Sequence, residues 1–537
     1  MPARDWQVRA ASAYATAVRS SKNFLLEAGT GTGKTVAAIL LLKHEIEVNG
    51  RKRCGIVVPT NHLKHQWAQS IERITGYQFS PNYNPRRGWP GAQFKGIVVT
   101  YQQMANCGKE LADLLDGAVW LQDEIHHAGM GPWGTALEMI QARTAVNIGL
   151  SATLFRTDGY RIPGVTYVKD TCKPDFRYPY KEAIADKIVR PVIFVTHEGE
   201  ISWREAGGDY CSNFGDDGFP EDRYPRRLQI ALMPEMGWLT PMLKEAHEML
   251  LKVRQKDPKA GGLVVADDQD HARKIAALMA KELGITPVLV LSDESESTAN
   301  LNNFINGRGL WLVSCNMVSE GVDVPRLRVG VFAKRVTTRL YFIQFMGRLV
   351  RLGQGDEGFA PSYCYMPADP RLVAIAKTVE DDIAELVVLK PTGGGDEEGE
   401  GEGGMPPISS VELIDAQNDG VSEVIMSGKR LSPSILTADA PPDYQSIEET
   451  AVIHQSELAP RAVLAAEIRR LASMIYHNGK PYKFIYGELN KMQKVKGQQY
   501  CTVAQLVARC RHLSSQAGAP LEIKLEDYQT KKTVATA

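Results

Sequence analysis

The chain has 537 residues, 44% of them apolar, a formal net charge of −1 and eight cysteines. That length and apolar content exceed one ordinary core, so two or three domains are expected, and the near-zero charge excludes a uniformly basic nucleic-acid sheath. The cysteines lack Cys-x-x-Cys spacing, which argues against a zinc centre or disulfide framework and fits a reducing cytoplasm; no leader-like or membrane-length apolar run is present, so a cytoplasmic protein is expected.

At the N-terminus, Arg4-Asp5-Trp6-Gln7 precedes an alanine-rich helical segment. Gln7 can bond an adenine edge through both amide groups while Trp6 or Arg4 stacks on the ring; the alternative is that the pair only anchors the helix. An apolar run from Phe24 to Leu26 then leads into Ala28-Gly29-Thr30-Gly31-Thr32-Gly33-Lys34-Thr35, and a helical pattern (Val36, Ile39, Leu40, Ile46) follows. Three glycines let the backbone curl and aim several N–H groups at one anion, and the helix N-terminus adds partial positive charge. A triphosphate is the expected guest, with Lys34 on its β/γ-phosphates and the Thr35 hydroxyl on Mg²⁺. Ala28 stands where the strict pattern has Gly.

Short β-type runs recur at Cys54 to Val58, Gly96 to Val99, Ala118 to Gln122 and Ala145 to Gly149, mostly separated by helical patterns. This predicts a parallel sheet flanked by helices, with ligands at the carboxyl ends of its strands. Pro59-Thr60 and Thr100-Tyr101 fall at such ends, either as contacts to a sugar-phosphate backbone or as caps and turns. Asp123-Glu124 follows the next strand. Two acids there need a cation or a partner, which assigns Asp123 to Mg²⁺ and Glu124 to the attacking water. The plain alternative is an acid-rich helix start. Ser151-Ala152-Thr153 closes this block.

Ala-x-x-Gly-x-Gly-Lys-Thr, Asp-Glu-x-His-His and Ser-Ala-Thr, in this order, resemble motifs I, II and III of the superfamily 2 helicases and translocases, nearest the type III restriction and DEAD/DEAH-like group. The family's motif I carries Ala first, as at Ala28. Farther on, the segment from Val195 to Arg223 is glycine-rich and acidic, with Trp203, Tyr210, Phe214 and Phe219 interspersed. A surface insertion packing its aromatics locally is expected there. A second set of strands follows (Gly262 to Ala266, Pro287 to Leu291, Leu310 to Cys315, Val329 to Ala333, Ser362 to Met366) without a phosphate loop. Gln344-x-x-Gly347-Arg348-x-x-Arg351 is similar to motif VI. On a helix both arginines share one face, able to neutralise charge on a γ-phosphate. Ser319-Glu320-Gly321-Val322-Asp323 resembles motif V, placing Gly321 and Asp323 at the nucleotide.

The resemblance implies two tandem RecA-like parallel-sheet domains. Residues 1–190 form the first and 226–390 the second, with a junction and acidic insertion at 191–225. It places Lys34, Asp123, Glu124, His126, Gln344, Arg348 and Arg351 in catalysis and Ser151 and Thr153 in coupling. It also implies ATP and Mg²⁺ as nucleotide and metal, and DNA as partner, with RNA or a nuclease on another chain as further partners. Gly393 to Gly404, glycine and acid alone, reads as a flexible linker within 391–455. A basic helical domain is expected over 456–537: Leu464, Ile468, Leu471 and Ile475 form one stripe, and Thr502 to Gln505 is a capping box. It serves either as an auxiliary nucleic-acid grip or as a dock for the acidic segments.

Overall fold

The computed structural model describes residues 3–128, 131–152, 161–168, 171–205, 208–215, 219–291, 297–315, 324–353, 360–379, 408, 411–431 and 433–436. In the C-terminal part it describes 464, 467, 468, 470–472, 474, 475, 485, 488, 489, 491, 492, 503–521 and 523. The first lobe is a seven-stranded parallel sheet in the order Gln78–Ser80, Phe94–Thr100, Cys54–Val58, Val119–Gln122, Val146–Ser151, Asn23–Ala28, Phe176–Tyr178. Its inner strands are apolar on both faces because helices cover both, and every residue of Cys54–Val58, Val119–Gln122 and Val146–Ser151 is buried. The sequence missed the two edge strands, each three residues long and without an apolar run to mark it.

The second lobe has eight strands in the order Val288–Leu289, Trp311–Ser314, Gly261–Ala266, Leu327–Ala333, Ser362–Pro367, Val192–Glu198, Gly420–Met426, Lys429–Leu431. The first six are parallel; Gly420–Met426 pairs antiparallel with Val192–Glu198, and Lys429–Leu431 pairs antiparallel with Gly420–Met426. This moves two expected boundaries. Val192–Glu198, placed in the junction, is an inner strand, and 411–431, placed in the linker region, supplies its neighbour. Pro191 and the acids that follow disguised the first. The second is a strand whose apolar residues are broken by Ser422 and Glu423, so it has no long apolar run.

The insertion folds as the hairpin Glu200–Glu205 and Gly208–Asn213, joined on its other edge by Glu412–Ala416. Its aromatics do pack locally: Trp203 stacks on Tyr210 at 5.4 Å, and the buried Arg227 guanidinium lies 4.8 to 5.0 Å from the rings of Phe214, Phe219 and Tyr224. In the C-terminal module the expected stripe Leu464, Ile468, Leu471 and Ile475 is buried against Leu506, Val507, Cys510 and Leu513, the last four on the helix Val503–Ala517. The expected linker 393–404 and Thr502 lie outside the described residues.

His197, next to last in the strand Val192–Glu198, has no exposure, with its Nδ1 3.1 Å from Asn418 Oδ1 and its Nε2 3.7 Å from Glu245 Oε2. Burial pushes the imidazole down to about 4, against a smaller upward pull from the Asn418 hydrogen bond. The unfolded chain binds this proton near its ordinary pKa of about 6.5. The neutral histidine therefore contributes its full stability above that pH, and the contribution is lost as pH falls towards 4. Between pH 7 and 4.5, urea denaturation of the wild type should lose about 2 kcal/mol more than His197→Gln loses; parallel losses would remove His197 from the acid response.

Candidate active site

The parallel topology delivers Ala28, Val58, Thr100, Gln122 and Ser151 to one edge of the first sheet, so every motif read from the first half lies there. After Ala28, Gly31 and Gly33 turn with φ of 83° and 97°, the left-handed region that other residues enter at a cost, and Gly33 caps the helix Lys34–Glu47. Thr32 Oγ1 closes the loop on Gly29 O at 2.7 Å. The N-terminal segment braces it: Arg4 Nη1 donates to Thr32 O at 2.7 Å and Gln7 Nε2 to Gly33 O at 3.2 Å, while Gln7 Oε1 accepts from Arg4 N. Gln7, expected at an adenine edge, thus spends a bond from each amide group on the loop and its own turn. Trp6 is buried and stacked on Tyr178 at 4.6 Å, so it anchors the helix and is not available to stack on a base.

The acids sit on the neighbouring strand end. Glu124 adopts φ 49°, ψ 57°, a left-handed conformation costing a non-glycine residue about 1–2 kcal/mol. Tyr101, fully buried, shares its hydroxyl proton between Asp123 O at 2.9 Å and Glu124 O at 3.3 Å. Such a bond contributes on the order of 1 kcal/mol and holds the turn. Lys34 Nζ lies 3.1 Å from Glu124 Oε1, Ala152 N donates to Oε2 at 3.3 Å, and His126 Nδ1 is 3.4 Å from Oε2 and 2.9 Å from Ser151 Oγ. His126 and Ser151 thereby join the acid turn to the next strand end.

Burial alone would raise Glu124, but Lys34 and then His126 outweigh it and hold the carboxyl at about 2, ionised at neutral pH. Asp123 goes the other way, to about 6. Burial and the neighbouring Glu124 charge drive it up, against the indole N–H of Trp67, which donates to Asp123 Oδ2 at 2.8 Å, and against Lys34.

The second lobe meets this edge through the helix Arg339–Leu349. A Cβ added at Gly347 would lie 2.5 Å from Thr30 Cβ, and one at Gly31 would lie 3.1 Å from Arg351 Cγ, so helix backbone rests directly on the phosphate loop. Arg348 is buried and Arg351 partly so. Arg351 lies just past the helix, correcting the expectation of one continuous helical face. The helix ends because its last carbonyls find partners elsewhere: Leu349 O accepts from Ser362 Oγ at 2.7 Å, and Val350 O and Arg351 O accept from Arg190 N at 2.8 Å and Arg190 Nε at 3.0 Å. Gln344, one turn before Arg348, is partly exposed.

Thr100 and Tyr101 are not placed to touch nucleic acid. Thr100 is buried in a reciprocal cap with Gln103, and the Tyr101 hydroxyl is committed to the acid turn. Pro59 and Thr60 are partly exposed at their strand end. Thr153, Gly321 and Asp323 lie outside the described residues. Sequence reasoning missed Trp67, Arg190 and the bracing role of Arg4. Arg4 stood inside a motif already singled out, whereas Trp67 looks like any apolar helix position and Arg190 like part of a crossing segment.

Residues 1–156 match the family described as type III restriction enzyme, res subunit. Uncharacterized proteins of Mycobacterium leprae (strain TN) and Mycobacterium tuberculosis (strain CDC 1551 / Oshkosh) are 33% identical over 388 residues and 35% identical over 393. Each alignment takes in 71% of this chain but only 64% and 63% of the relative, so the chain spans less than two thirds of their length. The DNA 3'-5' translocase XPB2 of Sulfurisphaera tokodaii is 24% identical over 369 residues, 65% of this chain and 78% of that protein. With the matched domain at its head and relatives that align well beyond it, the chain is similar to the superfamily 2 helicases and translocases, near the res subunit of the type III restriction enzymes.

Proposed function

We propose that the protein is an ATP-dependent motor that moves on or unwinds DNA, hydrolysing ATP between its two lobes. The observation that carries this reading is the contact of the Gly347 backbone with Thr30 of the phosphate loop, with Arg351 lying against Gly31 of the same loop. A γ-phosphate held from both lobes favours the closed form, and its loss removes that bridge. Glu124, ionised and oriented by Ala152 N and Lys34, accepts the proton of the attacking water. Arg348 and Arg351 offset the charge that builds on the transferred group.

The donor set suits Mg²⁺: a hard carboxylate on Asp123 and the Thr35 hydroxyl in the first turn of the loop helix, completed by phosphates and water. When bound, Mg²⁺ would neutralise phosphate charge. Movement along duplex DNA without strand separation is the second reading, favoured by the translocase name of the Sulfurisphaera relative.

Lys34→Ala and Glu124→Gln should each reduce ATP turnover at least about a hundredfold, and Arg351→Ala should lose hydrolysis while retaining ATP binding. Turnover measured in parallel with single-stranded DNA, duplex DNA and RNA tests the substrate class. Stimulation by RNA alone would overturn the DNA assignment, and normal turnover in Glu124→Gln the site itself. Gly347→Ala tests the seam independently. The three atoms nearest its methyl group are side-chain atoms of Thr30 at 2.5 to 3.0 Å, so turnover should fall about tenfold or more and recover in the double variant with Thr30→Gly. Absence of recovery would show that the loss lies elsewhere.

A further inference from the structure

Trp67 lies in the helix Asn61–Thr75, 1% exposed, and gives its indole N–H to Asp123 Oδ2 at 2.8 Å. Among the described residues, the buried indole nitrogens of Trp6, Trp120 and Trp238 have no hydrogen-bond partner, so ring volume is what those positions use. At position 67 the N–H itself is engaged, and with an ionisable carboxylate. A hydrogen bond from a neutral donor to a charged acceptor is stronger than one between neutral groups and fixes the acceptor's orientation as well.

The helix that carries Trp67 is tied to the acid turn a second time. Lys64, three residues earlier on the same face and 5% exposed, donates to Gln103 Oε1 at 3.2 Å. Gln103 and Thr100 cap each other, and the adjoining Tyr101 hydroxyl holds the carbonyls of Asp123 and Glu124. Lys64 and Trp67 together set the rotation and register of the helix against the turn bearing the acids. Trp67 therefore cannot shift from Asp123 without disturbing the cap below it.

We propose that Trp67 is a positioning residue for the divalent cation: by occupying Oδ2 it fixes the Asp123 carboxylate and leaves Oδ1 as the oxygen offered to Mg²⁺ or its water. This rests on the assignment of Asp123 to the cation. Partners that orient a metal-holding side chain are typically worth 10–100-fold in metal affinity.

The test is equilibrium binding of a fluorescent, slowly hydrolysed ATP analogue to the full chain, titrated with Mg²⁺. Trp67→Phe keeps an aromatic ring and removes the donor. The Mg²⁺ concentration giving half-maximal binding should rise about tenfold, while binding in EDTA stays as in the wild type. Ile71→Val trims the same buried helix face by one methylene and should leave the Mg²⁺ midpoint unchanged, separating loss of the donor from loosened packing. If Trp67→Phe does not fold, 3-benzothienylalanine at position 67, with sulfur in place of N–H in the same outline, carries the same expectation. A midpoint within twofold of the wild type in either folded variant overturns the proposal. Wild-type binding that ignores Mg²⁺ instead overturns the assignment of Asp123, and this inference falls with it.

Discussion

The seam between the lobes depends on a contact made without a side chain. At Gly347 the helix Arg339–Leu349 lays its backbone against Thr30, and any Cβ there would overlap the loop. The same approach brings Arg351 against Gly31, where the loop also lacks a Cβ and has a positive φ. Glycines on both sides of this contact let Arg351 of one lobe come against the loop of the other. The approach is braced from behind, because Arg190, on the segment crossing between the lobes, takes the carbonyls of Val350 and Arg351. The crossing segment and the end of the arginine helix are thereby one mechanical unit, so a change in lobe spacing is transmitted to Arg351 through backbone.

The acid pair shows how one strand end yields two different carboxylates. Asp123 and Glu124 are neighbours in sequence, yet the left-handed turn at Glu124 sends their side chains to different surroundings. Glu124 meets Lys34, His126 and the Ala152 amide and is held ionised; Asp123 is pushed up by burial and the charge of its neighbour, against the indole that donates to it. The conformational cost at Glu124 is offset by a hydroxyl from Tyr101, a residue whose position at a strand end had suggested an outward role. Burying that tyrosine makes the turn part of the core, while Pro59 and Thr60 at the same edge stay partly exposed.

What could be read from the sequence divides along physical lines. Strands buried on both faces announce themselves as apolar runs, so Cys54–Val58 and Ser362–Pro367 were legible nearly to the residue. The phosphate loop and acids were legible because glycine spacing and acids at an apolar strand end have few other uses. Strands that depend on a distant partner were not: Val192–Glu198 is central only because Ser362–Pro367 and Gly420–Met426 flank it, and the latter lies more than two hundred residues away in a polar stretch. Side chains acting through another residue were equally hidden. Nothing local distinguishes Trp67 from a core tryptophan, or Gln7 as an adenine contact from Gln7 as a brace on Gly33.

The arrangement of braces has a consequence for how the first lobe responds to its ligand. The phosphate loop is gripped by Arg4 and Gln7 from the N-terminal segment, its lysine is paired with Glu124, and Glu124 is tied through Ala152 and His126 to the strand ending at Ser151. An anion entering the loop competes with Glu124 for Lys34. Releasing that pair frees the carboxylate to engage water while leaving its contacts to Ala152 and His126 intact. In the proposed motor, a bound phosphate and the Glu124 carboxylate would compete for this one lysine. On that proposed reading, loop filling and the freeing of the base are linked by a single exchange of partners at Lys34.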